Sequence, residues 1–179
     1  MQKVADHVNN YISKAKNKQK MMDISSGGAG SLLRAHRNLI VDCEVKCENR
    51  KRATAFFVFN DILVHLSVTK AKHKPNLTLP QAQWPLRLIW LQYPSIDVIK
   101  VVGPTDFYLL RTQAEGASVL INALKAAIED DLRAQAVKLD ISPSTLDSQE
   151  RTGSFQFPNS VFYEGNWKNG KVTRIMYQR

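Results

Sequence analysis

The segment from Ala53 to Val68, ATAFFVF-ND-ILVHLSV, contains two runs of β-branched and aromatic residues that are joined by Asn60-Asp61. Residues of these two kinds are enriched in strands. An Asn-Asp pair tolerates the positive φ that a tight two-residue turn requires. The segment therefore predicts a β-hairpin.

Further strands are predicted on both sides of this hairpin. Upstream, Leu39, Val41, Cys43 and Val45 form an apolar face while Asp42, Glu44 and Lys46 face the other way, which is the period of a strand. Downstream, a loop over Thr69–Pro80 is followed by three more β-rich runs, at Leu86–Leu91, Ile96–Val102 and Asp106–Arg111. Short strands in succession predict an antiparallel sheet that bends or closes on itself.

A helix is predicted after the last of these strands, over about Ala114–Leu139. The apolar positions return to helical spacing there, at Ala117, Leu120, Ile121, Leu124, Ile128 and Leu132. An amphipathic helix of this kind can plug the open end of a bent sheet. The expected fold class is all-β with a C-terminal helix: a bent antiparallel sheet or open barrel of about seven strands, capped by one α-helix.

Both ends of the chain carry additional segments. Residues 1–24 have apolar residues at helical spacing and predict an N-terminal helix, which ends at the glycine-rich stretch Ser25–Gly30. A linker rich in Ser and Pro is expected over residues 140–152. Beyond it, Tyr163–Lys171 predicts a short hairpin with Asn169-Gly170 at its turn.

The chain of 179 residues has a formal net charge of +9, and its basic residues cluster at Lys14–Lys20, Lys46–Arg52 and Lys70–Lys74. Clustered positive charge favours an anionic partner. No apolar run has the length of a membrane span or a signal peptide, so the cytosol is the expected compartment. Cys43 and Cys47 would lie about 13 Å apart along a strand, too far for a disulfide or a shared metal ion.

No catalytic site is predicted. His7, His36, His65 and His73 are scattered, and none has a Ser, Cys or carboxylate partner at a recognisable spacing. His65 is interpreted as a strand residue, and the acidic run Glu129–Asp131 as a solvated helix face. The chain is therefore expected not to be an enzyme and to need no cofactor or metal ion.

Three parts of the sequence resemble known families. Phe57–Val64, which lies between a basic loop and a variable one, resembles the second and third strands of pleckstrin-homology (PH) domains that follow Dbl-homology (DH) domains. Residues 4–22 resemble the end of the last DH helix. Tyr163–Lys171 resembles the opening of a MORN repeat, Tyr-x-Gly-x-Trp-x-x-Gly. This order of domains is similar to that of alsin-type exchange factors.

The resemblance implies a domain organisation and a function. Residues 1–24 would end a DH domain, 31–139 would form the PH domain, 140–152 the linker and 153–179 a partial MORN repeat. The chain would be the non-catalytic PH module of a guanine-nucleotide exchange factor for small GTPases. It would be cytoplasmic and peripheral on endosomal or plasma membrane, and its parent protein would be a candidate for self-association.

In PH domains, the loops between the first and second and between the third and fourth strands flank a positively charged end. Here the basic residues of those loops are Lys46, Arg50, Lys51, Arg52, Lys70, Lys72 and Lys74. They are the candidate site for anionic phospholipid or phosphoinositide. The Lys-x-Arg of stereospecific phosphoinositide sites is replaced by Ala53-Thr54-Ala55, which favours looser electrostatic attraction.

Other functions remain as alternatives. The PH domain could make protein contacts only and support the DH domain without binding lipid. Binding of nucleic acid is not expected, although Trp84 and Trp90 could be imagined as stacking platforms. Trp90 is expected in the core, and Trp84 is expected to pack in a loop or at an edge.

Overall fold

The computed structural model describes residues 15–19, 22, 32, 34, 36–70, 75–77, 83–138 and 150–178. Residues 15–19 and 22 are helical, and the rest of the predicted N-terminal helix lies outside the described residues. The side-chain amide of Asn17 donates a hydrogen bond to the backbone oxygen of Leu39, at 3.1 Å. The helical segment therefore contacts the first strand directly.

The first sheet is five-stranded and antiparallel. Its strands are β1 (Leu39–Val45), β2 (Thr54–Phe59), β3 (Ile62–Lys70), β4 (Pro75–Leu77) and β5 (Gln83–Pro85), and β3 pairs with β2, β4 and β5. The predicted hairpin is confirmed: Val58 pairs with Leu63 across the turn at Asn60-Asp61. Part of the predicted Thr69–Pro80 loop is strand, since β3 extends to Lys70 and β4 pairs with it.

The second sheet contains β6 (Trp90–Ser95), β7 (Val98–Val102) and β8 (Phe107–Arg111), in that order. The prediction of a strand over Leu86–Leu91 was wrong in its first half, because Leu86–Leu88 forms a 3₁₀ turn. Two hydrogen bonds hold that turn: the Leu86 N–H donates to the Asp61 oxygen and the Ile89 N–H to the Leu86 oxygen, both at 3.1 Å. The hydrogen bond from Leu86 to the distant β2–β3 turn therefore outweighs the strand preference of the apolar run.

One long helix, α1 (Ala117–Lys138), follows the second sheet. The chain enters it through Gly116, whose φ of +75° is a conformation that favours glycine. The predicted apolar stripe faces the core: Leu120 and Leu124 are fully buried, and Leu132 is 9% exposed. Leu120 and Leu124 therefore belong to the main core cluster.

Strand β2 of the first sheet is buried on both faces. Phe56 and Val58 of β2 belong to the main core cluster, with the second sheet and α1. Their neighbours Phe57 and Phe59 belong to a second cluster, which also contains Leu32 and residues of β1 and β3. Because successive strand residues point to opposite faces, every residue of β2 is buried, which explains its continuous apolar sequence.

A third sheet, with the order β11-β10-β9, is formed by β9 (Glu150–Gln156), β10 (Phe162–Lys168) and β11 (Lys171–Gln178). The predicted hairpin is confirmed, and its turn residues Asn169 and Gly170 have φ values of 51° and 75°. Phe155, Tyr163 and Trp167 of this sheet are part of the main core cluster. The tail therefore packs on the rest of the domain.

The three sheets are antiparallel and stay open, and α1 is the main helix. This is the PH-like, mostly β fold that the sequence predicts, with eight strands before the helix in the described part of the chain and three after it. No helix among the described residues is long and apolar enough to cross a membrane.

Candidate functional site

The β1–β2 loop, residues 46–53, carries four of the basic residues that the sequence predicts as an anion-binding site. Lys46 Nζ donates to the backbone oxygen of Arg50 at 3.1 Å and also to that of Lys51. The ammonium group therefore stabilises the loop that it belongs to. Lys51 and Arg52 are exposed.

Arg50 is half-buried and contacts the second sheet. Its guanidinium forms an ion pair with Asp106 and lies 4.9 Å from the ring centroid of Tyr108. The hydrogen bond that Arg50 donates to the Asp106 carboxylate raises the pKa of Arg50 above its ordinary value. The charge of Arg50 is therefore already paired with a carboxylate, whereas those of Lys51 and Arg52 are exposed.

Further contacts fasten this loop along β8. The Glu48 N–H donates to the Leu109 oxygen at 2.9 Å, and Glu48 also pairs with Arg111. The Asn49 side chain donates to the Phe107 oxygen at 2.8 Å and accepts from the Leu109 N–H at 3.0 Å. The loop is therefore held in one position against the second sheet.

The remaining predicted basic residues follow β3. Lys70 is the last residue of that strand and pairs with Pro75. Lys72 and Lys74, together with the Lys70 side chain, lie outside the described residues. A cleft beside this end is lined by Glu44, Arg52, Ala53 and Val68, so that one arginine and one carboxylate face it.

A buried polar and aromatic cluster lies beneath the β1–β2 loop. His65 is 4% exposed, and its Nδ1 is 2.6 Å from the hydroxyl of Tyr108. Burial lowers the pKa of His65 to about 4, so the imidazole is neutral at neutral pH. Burial also raises the pKa of the Tyr108 hydroxyl and raises that of Cys47 to about 11.

Trp84 completes this cluster. It lies on β5, which pairs only with β3 among the described strands and so forms an edge of the first sheet, one of the two places that the sequence predicts for it. Its indole is fully buried, 4.5 Å from the His65 ring, and its Nε1 donates to Thr105 Oγ1 at 3.0 Å. A Cβ on Gly103 would lie 2.2 Å from the indole. The ring therefore occupies space that exists because residue 103 has no side chain.

Sequence reasoning missed the way in which the N-terminal segment joins the sheet. Arg37 is 5% exposed and binds Asp61 with two nitrogens: Nε lies 2.8 Å from Oδ1 and Nη2 lies 2.6 Å from Oδ2. Its Nη1 donates to the Leu32 oxygen at 3.3 Å. Asn60 adds two bonds, accepting from the Asn38 N–H at 2.8 Å and donating to the His36 oxygen at 2.9 Å. We call this set of contacts the entry clamp.

A second joint connects the third sheet to the core. The Arg151 guanidinium lies 4.8 Å from the centroid of the Trp90 ring, and its Nη1 donates to the Ile89 oxygen at 2.6 Å. Burial lowers the pKa of Arg151 to about 10, although Asp131 raises it in part. Trp167 packs edge-on against Tyr163 at 5.2 Å. We call this set of contacts the sheet joint.

The fold is shared with solved structures of exchange-factor domains. The DH/PH domain of human ARHGEF11, in a ternary complex with human RhoA and its inhibitor, superposes with a TM-score of 0.53 at 16% identity over 72% of this chain. The DH/PH domains of PDZ-RhoGEF, with GTP-γS-activated RhoA, give 0.54 at 12% identity over 72% of this chain. The linker-DH/PH domains of p115-RhoGEF give 0.51 at 13% identity over 71% of it.

The matches span 44%, 44% and 43% of those three chains, less than half of each. At these identities the likeness establishes the PH-like fold. No protein-family model and no curated protein sequence matches this chain. Among the described residues, no group of three or more His, Cys, Asp or Glu side chains could hold a metal ion.

Proposed function

We propose that this chain is the regulatory PH module of a guanine-nucleotide exchange factor that acts on small GTPases. The observation that carries the proposal is the PH-like fold with a helical segment packed on β1 through Asn17, in combination with its likeness to DH/PH chains. The module positions the catalytic domain to which residues 1–24 would belong. It contributes no catalytic group of its own.

Nucleotide exchange tests this role. The chain alone is expected to leave the rate of fluorescent GDP release unchanged for RhoA and other Rho-family GTPases. The longer protein that contains the DH domain is expected to accelerate release, and Arg37→Ala in that protein is expected to reduce the acceleration. Exchange by the isolated chain, or an unchanged rate in the longer variant, would contradict the proposed role.

We further propose that the parent protein is an exchange factor of the alsin type, with the third sheet as the opening of a MORN repeat. Tyr163 and Trp167, two of the motif's residues, face the core, and Gly165 is buried between them. Self-association of the parent protein is part of this proposal. Sedimentation equilibrium of the parent protein with and without residues 150–179 measures whether the third sheet contributes to it.

A second candidate function is peripheral binding to anionic endosomal or plasma membrane. The observation that favours it is the exposure of Lys51 and Arg52 at the end of the β1–β2 loop, on a chain with a net charge of +9. Each basic residue near an anionic surface contributes about 1 kcal/mol. Since Arg50 is paired with Asp106 and Lys46 with backbone oxygens, loose attraction is favoured over a stereospecific phosphoinositide pocket.

Vesicle sedimentation tests this second candidate. Lys51→Ala with Arg52→Ala is expected to reduce binding to phosphatidylserine vesicles at least fivefold at low salt. Physiological salt should weaken the binding of the unsubstituted chain as well. Lys125→Ala with Lys168→Ala removes the same charge elsewhere and is the matched control, because both residues are exposed.

Equal binding by the two double variants would contradict a membrane face at this loop. Selective binding to one phosphoinositide at physiological salt would contradict the loose mode. If the unsubstituted chain does not bind vesicles, this second candidate is contradicted, and binding to other proteins becomes the favoured function. Arg50 is kept in both variants because its substitution would also disturb the loop.

A further inference from the structure

We propose that the 3₁₀ turn Leu86–Leu88 couples the entry clamp to the sheet joint, so that loosening one end of the domain loosens the other. The two ends belong to different clusters of buried residues: Leu32 lies in the second cluster, whereas Trp167 lies in the main one. A connection between them must therefore cross the first sheet. The contacts of Asp61 and of the 3₁₀ turn provide that crossing.

The first step leads from the entry segment to the β2–β3 turn. The Asp61 carboxylate forms an ion pair with the guanidinium of Arg37, and the Arg37 side chain is 2% exposed. The adjacent Asn60 satisfies backbone groups of His36 and Asn38. A shift of the entry segment must therefore either move Asp61 or leave buried polar groups without partners, which is costly.

The second step leads from the β2–β3 turn to the 3₁₀ turn. The backbone oxygen of Asp61 accepts the Leu86 N–H at 3.1 Å, so one residue holds Arg37 with its carboxylate and Leu86 with its carbonyl. The neighbouring pairing of Ile62 with Pro85 fixes the same two segments side by side. Leu86 and Leu88 are 0% exposed, so the turn cannot move without displacing packed side chains.

The third step leads from the 3₁₀ turn to the third sheet. Arg151 Nη1 donates to the Ile89 oxygen at 2.6 Å and to the Arg87 oxygen at 3.4 Å. A Cβ built on Gly153 would lie 3.0 Å from Leu88 Cδ2, so β9 passes close to the turn. The Arg87 side chain pairs with Asp131 of α1 at 3.2 Å, which anchors the turn from the helix side.

The significance of this coupling rests on the proposed function. In a positioning module, the segments before and after the core would be held in one relative orientation, and a force on one would reach the other. The coupling itself is measured in this chain without a GTPase or a membrane. Failure of the exchange-factor proposal and failure of the coupling are therefore distinguishable.

Hydrogen exchange followed by mass spectrometry tests the coupling. Arg37→Ala is expected to raise the exchange rate of β9 amides, residues 150–156, at least threefold. In the reciprocal experiment, Arg151→Ala is expected to raise exchange over residues 36–38. Ile99→Val is the control, because it loosens the main core at a residue that belongs to neither the entry clamp nor the sheet joint. If Arg37→Ala does not fold, Arg37→Lys keeps the charge and loses the two-nitrogen geometry.

The double variant Arg37→Ala with Arg151→Ala supplies the decisive comparison. If the entry clamp and the sheet joint are coupled, the double variant should raise β9 exchange by less than the product of the two single increases. At independent sites the two increases in exchange rate multiply. Exchange changes confined to residues 32–38 and 60–61 would overturn the proposal. A uniform rise like that of Ile99→Val would overturn it as well.

Discussion

The two attachments to the PH-like core are built from different interactions. The entry clamp is polar: it rests on the Arg37–Asp61 ion pair and on the amide of Asn60. The sheet joint is mainly aromatic, with Trp167 fully buried and Arg151 stacked on Trp90. An ion pair specifies orientation through its bond directions, whereas buried aromatic surface supplies more free energy of unfolding. The entry clamp therefore fixes the orientation of the entry segment, and the sheet joint contributes more to the free energy of unfolding.

The largest effect is expected at the sheet joint. Trp167→Ala removes a fully buried indole together with its hydrogen bond to the Gly153 oxygen. The free energy of unfolding should fall by about 3–5 kcal/mol. Urea unfolding measures the change, and Trp167→Phe, which keeps most of the apolar volume, should lose clearly less. Equal losses in the two variants would show that the apolar packing is not what holds the sheet.

A smaller effect is expected at the entry clamp. Arg37→Ala leaves the Asp61 carboxylate without its partner, and loss of one member of a buried pair costs about 3–5 kcal/mol. Because the Asp61 side chain is 24% exposed, water can solvate the unpaired carboxylate and offset part of this cost. The free energy of unfolding is therefore expected to fall by about 2–3 kcal/mol. Urea unfolding of Arg37→Ala, Asp61→Ala and the double variant should give strongly non-additive losses. Additive losses would mean that the two side chains do not act as a pair.

The smallest of the three effects concerns the core between the two attachments, and it depends on pH. The pKa of His65 is about 4 in the folded chain and about 6.5 when the side chain is exposed. As the pH is lowered, the unfolded chain therefore becomes protonated at a higher pH than the folded chain. Stability from the neutral imidazole is full above pH 6.5 and is lost as pH falls toward 4. Between pH 7.5 and 5 the loss should be about 2 kcal/mol.

Urea unfolding at both pH values, compared with His65→Gln, measures that contribution. The variant should lose less of its stability on acidification than the parent chain does. If the two chains respond alike, His65 is not the group that titrates.

Local patterns predicted much of the fold because their signals lie within a few residues. The alternation from Leu39 to Lys46 gave β1, and the helical spacing from Ala117 to Leu132 gave α1. Asn169-Gly170 gave the last hairpin turn, since both residues adopt positive φ at little cost. The 3₁₀ turn at Leu86 was missed because its apolar run is ambiguous and its deciding bond comes from Asp61.

The candidate site was less accessible to sequence reasoning. Charge and loop position correctly located the basic residues in the β1–β2 loop, but they could not tell Arg50, which pairs with Asp106, from Lys51 and Arg52, which are exposed. The three side chains look alike in sequence. Their roles differ because one of them faces a carboxylate that lies 56 residues further along the chain.

The sequence by itself determined the order of the longer strands and the helix, the turns at Asn60-Asp61 and Asn169-Gly170, and the surplus of positive charge. These properties depend on side-chain size, branching and periodicity within short windows. Only the tertiary structure decided that Arg37 binds Asp61, that Trp84 fills the space above Gly103 and that the third sheet packs on the core. Such contacts depend on which distant surfaces meet, and close packing admits only certain shapes and partners there.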